Sequence, residues 1–343
     1  RRFLLVLDGF ERELRAYASL FAAYQGDTIN NSDTYAQPNA CSNPHTAAFL
    51  RSLAQTPLRS RVLLTSRLLP RELDGSPMCQ HLELTALDPA DAVSFLKAEG
   101  VRGSDSEIQA ACERYGYHPL ALRLLAGMVT CDPNRPGDIG AASASAPLPL
   151  LARQDQDILA LSYDALRPPL RNLLSCLAAF RSAMDEQAIK AIGVIRSDSD
   201  LQAALRELVA RQLLLFSPHS GRYDLPPSVR QYAYDRLSDK MGIHSRLRDY
   251  FKAVPTRDED QVTTVDDLSP VIELYHHTIR ANRYDEAYQL MSDRLARPLY
   301  YRLGLYETCI ELLRALFPDG EKHLPRLRSD AAQAWTLNTL GLA

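Results

Sequence analysis

Apolar runs and their spacing divide this chain into a short α/β opening and a long helical remainder. Phe3 to Leu7 is an unbroken apolar run, the pattern of a parallel strand buried on both faces. Leu14, Tyr17, Ala18 and Phe21 then recur at helical spacing and predict a helix over Leu14 to Tyr24 that covers the sheet. Gln25 to Asn43 is polar, carries Asn30-Asn31 and Pro38, and reads as an exposed loop. Pro44 begins a second helix, Thr46 to Gln55, with Phe49, Leu50 and Leu53 inward. Val62 to Leu64 predicts a second buried strand, and His81 to Leu84 a third that closes the α/β part.

From Asp88-Pro89 the texture is helical. Asp88 is a good N-cap with Pro89 at the first helical position, and Ala92, Phe95 and Leu96 give that helix its buried stripe. A second helix follows over Asp105 to Tyr115, and a third opens at Pro119 and runs to Val129. Cys131 to Pro149 is rich in Pro, Gly, Ala and Ser and reads as a linker. Helices are expected from Asp155, over Leu170 to Phe180, Glu186 to Ile192 and Asp200 to Arg211. A hairpin of Leu213 to Phe216 and Tyr223 to Leu225 follows, closed by a helix over Val229 to Leu237. Helices followed by a two-stranded wing describe a winged-helix domain. The tail is helical again, with repeat-like phrases at Tyr284-Asp285-Glu286-Ala287 and Leu337 to Ala343, where Ala287 and Gly341 would let paired helices approach closely.

Composition narrows the class. The 343 residues allow two or three domains, and 46% apolar with 24% charged residues is a globular balance. No apolar run reaches the ~18 residues of a membrane span. A net charge of −3 gives no general pull toward nucleic acid or anionic lipid. The six cysteines form no CxxC pair, so reduced thiols in a cytoplasmic protein are expected rather than zinc or disulfides. The first residue is not Met, and the chain opens inside what reads as a central strand and stops part-way through a helical pattern, so a fragment cut at both ends is expected.

Candidate chemistry lies at the strand ends. Asp8 ends the first strand, where ligands of open α/β sheets bind, and a carboxylate there can hold a Mg²⁺ that carries phosphate oxygens. Glu11 is a second carboxylate within reach. This is the shape of a Walker B segment; the alternative is an Asp that caps the next helix. Thr65, Ser66 and Arg67 follow the second strand, level with Asp8 if the strands are parallel neighbours, where hydroxyls and a guanidinium can contact a terminal phosphate; the alternative is an Arg that salt-bridges a nearby surface carboxylate. Pro119, within Gly116-Tyr117-His118-Pro119-Leu120-Ala121-Leu122, offers a flat apolar surface for an adenine ring. A phosphate loop of the form GxxxxGK[ST] does not occur and would lie upstream. His276 and His277, adjacent on a helix, point to different faces and are not expected to share a metal.

The strand ending in Asp8, Leu63-Leu64-Thr65-Ser66-Arg67, the Gly116 to Leu122 phrase and the winged-helix pattern, in that order over residues 1 to 237, resemble the NB-ARC class of STAND signalling ATPases; the tail resembles tetratricopeptide repeats. The resemblance implies an α/β plus all-α fold: 1–87 as the C-terminal half of a nucleotide-binding P-loop NTPase sheet, 88–130 helical, 131–153 linker, 154–237 winged helix, 238–265 connector and 266–343 repeats. It implies Mg²⁺ on Asp8, Glu11 as a second catalytic carboxylate, Thr65, Ser66 and Arg67 at the γ-phosphate, and Pro119 with Leu120 at the adenine of ATP or ADP. Two positions depart from the family. Gly9 stands where many relatives have a second Asp, which implies slow hydrolysis at most. Pro226 stands where a His usually bonds the ADP β-phosphate; a proline ring cannot donate a side-chain hydrogen bond, so that lock is either lost or supplied by another residue such as Arg230.

The implied function is a nucleotide-dependent switch that oligomerises and senses a ligand or protein partner through the repeats. Two other classes compete. A winged-helix transcriptional regulator would read DNA through Asp200 to Arg211, but Arg206 and Arg211 are balanced there by Asp200 and Glu207, so direct nucleic-acid binding is not expected. A nucleotide-independent repeat scaffold would hold a partner without any switch.

Overall fold

The computed structural model describes residues 2–18, 22–24, 37–56, 59–140 and 154–342, and the chain divides into two units, Arg1–His81 with Ser238–Ala343, and Leu82–Leu237. It is mostly helical with two small sheets. In the first unit β1 (Leu4–Leu7) leads through a 3-10 turn at Phe10–Glu13 into α1 (Arg15–Ala18). Of the helix expected over Leu14 to Tyr24, α1 covers Arg15–Ala18 and a 3-10 turn occupies Ala22–Tyr24; residues 19–21 lie outside the described residues, as do 25–36 of the polar loop. Next come α2 (Pro44–Gln55), capped by the Asn43 side chain, and β2 (Arg61–Leu64). β1 and β2 pair in parallel, Leu4 opposite Arg61 and Leu7 opposite Leu64.

Three expectations fail here for one reason, the small size of this sheet. The apolar strand is covered on one face only: Leu7 and Leu64 pack on Phe10, Leu14 and Leu50, whereas Leu4, Val6 and Leu63 are each more than half exposed. Among the described residues no element covers that second face. His81 to Leu84 forms no strand, because no ladder partner meets it, and Leu82 and Leu84 stay exposed. Phe49 is 44% exposed, since Ala47, Leu50 and Ala54 form the stripe of α2 that faces the sheet.

The second unit opens with α3 (Pro89–Ala98), α4 (Asp105–Arg114) and α5 (Pro119–Thr130). Ser104 and Glu107 form a reciprocal capping box on α4. The first ten residues of the expected linker are folded: the Arg102 N–H donates to the Gly137 carbonyl, the Ile139 N–H donates to the Arg102 carbonyl, and Ile139 is buried. Residues 141–153 lie outside the described residues. Then follow α6 (Gln154–Asp164), α7 (Pro168–Leu177), α8 (Glu186–Ile192) and α9 (Asp198–Ala210). The antiparallel hairpin β3 (Leu215–Ser217) and β4 (Arg222–Asp224) precedes α10 (Pro227–Asp235). α5 packs against α6, and Leu122, Leu173, Leu174, Leu205 and Leu208 are almost fully buried.

The first unit resumes at α11 (Lys240–Ala253), a helix within the expected connector. Its buried face is Ile243, His244, Leu247 and Arg248, and two polar residues among the four hide the apolar stripe from a sequence reading. α12 (Val265–Arg280) runs antiparallel to it, with Met241 near Asn282. α13 (Tyr284–Leu290) continues through wide π turns to Arg302, and α14 (Tyr306–Arg314) and α15 (Asp330–Leu342) complete the unit. Tyr275, Ala287, Met291, Leu295, Leu312 and Leu313 share their core. Ala287 is buried as expected for close helix pairing, but Gly341 faces open space.

Candidate functional site

Parallel pairing decides where the strand-end residues go. Because Leu7 stands opposite Leu64, Asp8 and Thr65 leave β1 and β2 side by side at their carboxyl ends. The Thr65 hydroxyl donates to Asp8 Oδ1 at 2.5 Å and accepts from the Gly9 N–H at 2.9 Å. The backbone closes around this pair, with Thr65 N–H bonded to Leu7 O and Phe10 N–H to Thr65 O. Gly9 itself is left-handed at φ 67°, a backbone conformation that favours glycine. Thr65 therefore orients Asp8 and keeps one hydroxyl lone pair in reserve.

Ser66 and Arg67 extend the same end. The Ser66 Oγ is shielded from solvent and has no hydrogen-bond partner among the described residues. Arg67 Nε lies 3.5 Å from Glu11 Oε1, and its guanidinium sits 5.6 Å from the centre of the Tyr17 ring. The structure thus pairs Asp8 with Thr65 and Glu11 with Arg67 next to the carboxyl ends of β1 and β2. The donor set is hard oxygen, a carboxylate and two hydroxyls, beside one cation, and the orphaned Ser66 hydroxyl is what a phosphate oxygen or a Mg²⁺-bound water would satisfy. These residues fit a Mg²⁺-phosphate group.

Pro119 and Leu120 belong to the other unit. Pro119 is the first residue of α5 and is exposed; Leu120 is half-buried. The two residues before them, Tyr117 and His118, follow a left-handed step at Gly116 and Tyr117, φ 59° and 56°, that turns the chain out of α4. Pro226 caps the start of α10. Arg230, the candidate substitute for the missing His, is 4% exposed and donates to the Phe180 carbonyl and to Asp224. It fastens the hairpin to the helices instead. On α9, Glu207 pairs with both Arg167 and Arg211, so that helix shows no basic excess.

A second constellation was missed in the sequence. His244 of α11 meets His276 and His277 of α12, all three fully buried. His244 Nδ1 and His277 Nδ1 are 2.9 Å apart, and the Tyr24 hydroxyl lies 2.9 Å from His276 Nε2. His276 and His277 do point about 100° apart, but α12 is buried around most of its girth from Val271 to Ile279, and His244 spans the gap. Burial, with Arg280 and Lys240 nearby, pushes the His244 imidazole down to about 3 and keeps it neutral.

No protein-family model matches the chain, and no curated protein matches it. Among solved structures it is similar to a Signal Transduction ATPase with Numerous Domains (STAND) protein with a tetratricopeptide repeat sensor from Pyrococcus horikoshii, at 17% identity and a TM-score of 0.49. The match covers 86% of this chain and 44% of that one, so the chain spans less than half of that protein's length.

Proposed function

We propose that this chain is part of a nucleotide-dependent signalling switch of the STAND type. The supporting observation is the parallel register of β1 and β2, which puts Asp8, Thr65, Ser66 and Arg67 at one sheet end. In this reading Asp8, steadied by Thr65, holds the Mg²⁺, and Ser66 and Arg67 contact the terminal phosphate. Bound Mg²⁺ supplies charge neutralisation of the phosphates. Glu11 holds Arg67 while that phosphate is missing, and a γ-phosphate competes with Glu11 for the guanidinium. This gives the differential affinity for ATP and ADP that any two-state switch requires. Pro119 and Leu120 keep the adenine role, residues 154–237 the winged-helix role, and residues 266–343 the role of repeats that engage a protein partner in the cytoplasm. With Gly9 beside Asp8, hydrolysis is slow.

The experiment is calorimetry of Mg²⁺-ADP and Mg²⁺-ATP on the full-length protein. Saturable binding of both, with Arg67→Ala narrowing the difference between them, is the expected result. No binding of either nucleotide sinks the reading.

A further inference from the structure

We propose that His244, His276 and His277 form a binding site for a borderline divalent cation of the Zn²⁺ class, one that fastens α11 to α12. Each imidazole offers a nitrogen, and the three nitrogens lie within 4.8 Å of one another. A tetrahedral Zn²⁺ with bonds of roughly 2.0–2.1 Å separates its ligand atoms by roughly 3.4 Å. The 2.9 Å separation of the His244 and His277 Nδ1 atoms is within a small side-chain adjustment of that value. Three nitrogen ligands and no carboxylate in the inner set favour Zn²⁺, Co²⁺ or Ni²⁺ over Mg²⁺ or Ca²⁺.

Two of the outer nitrogens have a polar group behind them, one at hydrogen-bond distance and one beyond it. Glu273 Oε2 lies 3.9 Å from His277 Nε2, behind the ring whose Nδ1 faces His244, and Glu273 is itself 6% exposed. The Tyr24 hydroxyl is closer to its ring, 2.9 Å from His276 Nε2. A carboxylate or hydroxyl behind a ligating imidazole fixes its tautomer and raises its basicity. The facing charges are the Glu273 carboxylate, Lys240 one turn before His244, and Arg280, whose guanidinium stacks 5.1 Å from the Tyr24 ring. The site is independent of the nucleotide reading, because none of its residues belongs to the strand-end group.

The test is Co²⁺ titration of chelator-treated full-length protein in excess Mg²⁺, which fills any hard-oxygen site. Roughly one Co²⁺ per chain should bind, with the visible absorption of a four- or five-coordinate ion, and Zn²⁺ should bleach it. Glu273→Gln should weaken Co²⁺ on the order of 10–100-fold. His244→Gln should abolish the band, whereas His45→Gln and His323→Gln, at exposed positions, should retain it. Absence of the band in wild-type protein, or its survival in His244→Gln, overturns the proposal. Should His244→Gln fail to fold by circular dichroism, the wild-type titration and Glu273→Gln decide.

Discussion

The Thr65 hydroxyl holds two groups of the β1 turn at once, the Asp8 carboxylate and the Gly9 N–H. Thr65→Val keeps the shape and removes both bonds, so it should cost about 1 kcal/mol of stability. Mg²⁺-nucleotide affinity should drop more than stability does, because Asp8 then samples other rotamers; urea midpoints and calorimetry separate the two. His244 offers a second residue-scale test. Its folded value near 3 lies below the ordinary histidine value of 6.5, so the unfolded chain takes up the proton first. The stability it contributes is complete above about 6.5 and is lost as pH falls toward 3. Urea midpoints of metal-stripped protein should therefore decline steadily from neutral pH to pH values near 4, and a flat profile would contradict the burial of this ring. Only part of this site was legible beforehand. Asp8 and Arg67 announce themselves by ending apolar runs, but the histidines interrupt apolar stripes and look like ordinary core substitutions.

At the scale of elements, α5 approaches the end of α9 so closely that Gly127 has no room for a side chain. A Cβ there would stand 2.4 Å from the Arg211 carbonyl oxygen, and backbone cannot swing aside as a long side chain can. Gly127→Ala should destabilise the second unit by about 1–3 kcal/mol, despite the better helix propensity of alanine. A thermal melt showing stabilisation would refute this packing. Most helices were readable because 3.6-residue periodicity and capping signals are local: Asn43 and Asp185 cap their helices through side-chain bonds, and prolines open α3, α5, α7 and α10. The misreadings have a common cause. His81 to Leu84 has strand-like residues but no ladder partner among the described residues, and Phe49 is apolar at helical spacing yet 44% exposed, so apolarity was a poor guide to both.

For the whole molecule, the switch reading makes one prediction that the scaffold reading does not. In size-exclusion chromatography of the full-length protein with light-scattering detection, Asp8→Ala should abolish any Mg²⁺-ATP-dependent change in assembly. A scaffold should be indifferent to the same change. The substitution is exposed and lies outside the apolar cluster of the sheet, so its effect on folding should be small.

The sequence by itself determined most of the helices, the two opening strands and the hairpin, and which residues stand at the ends of β1 and β2, because strand runs, caps and turn residues act over a few positions. It also determined that a helical tail follows the hairpin. Only the tertiary structure decided that β1 and β2 pair in parallel at this register, that Leu4, Val6 and Leu63 are more than half exposed, and that Arg230 is tied to Phe180 and Asp224. It alone brought Tyr24 to His276, 252 positions away, and His244 to His277. Periodicity records which side of one element is buried; which residues of two elements meet depends on packing among side chains far apart in the chain.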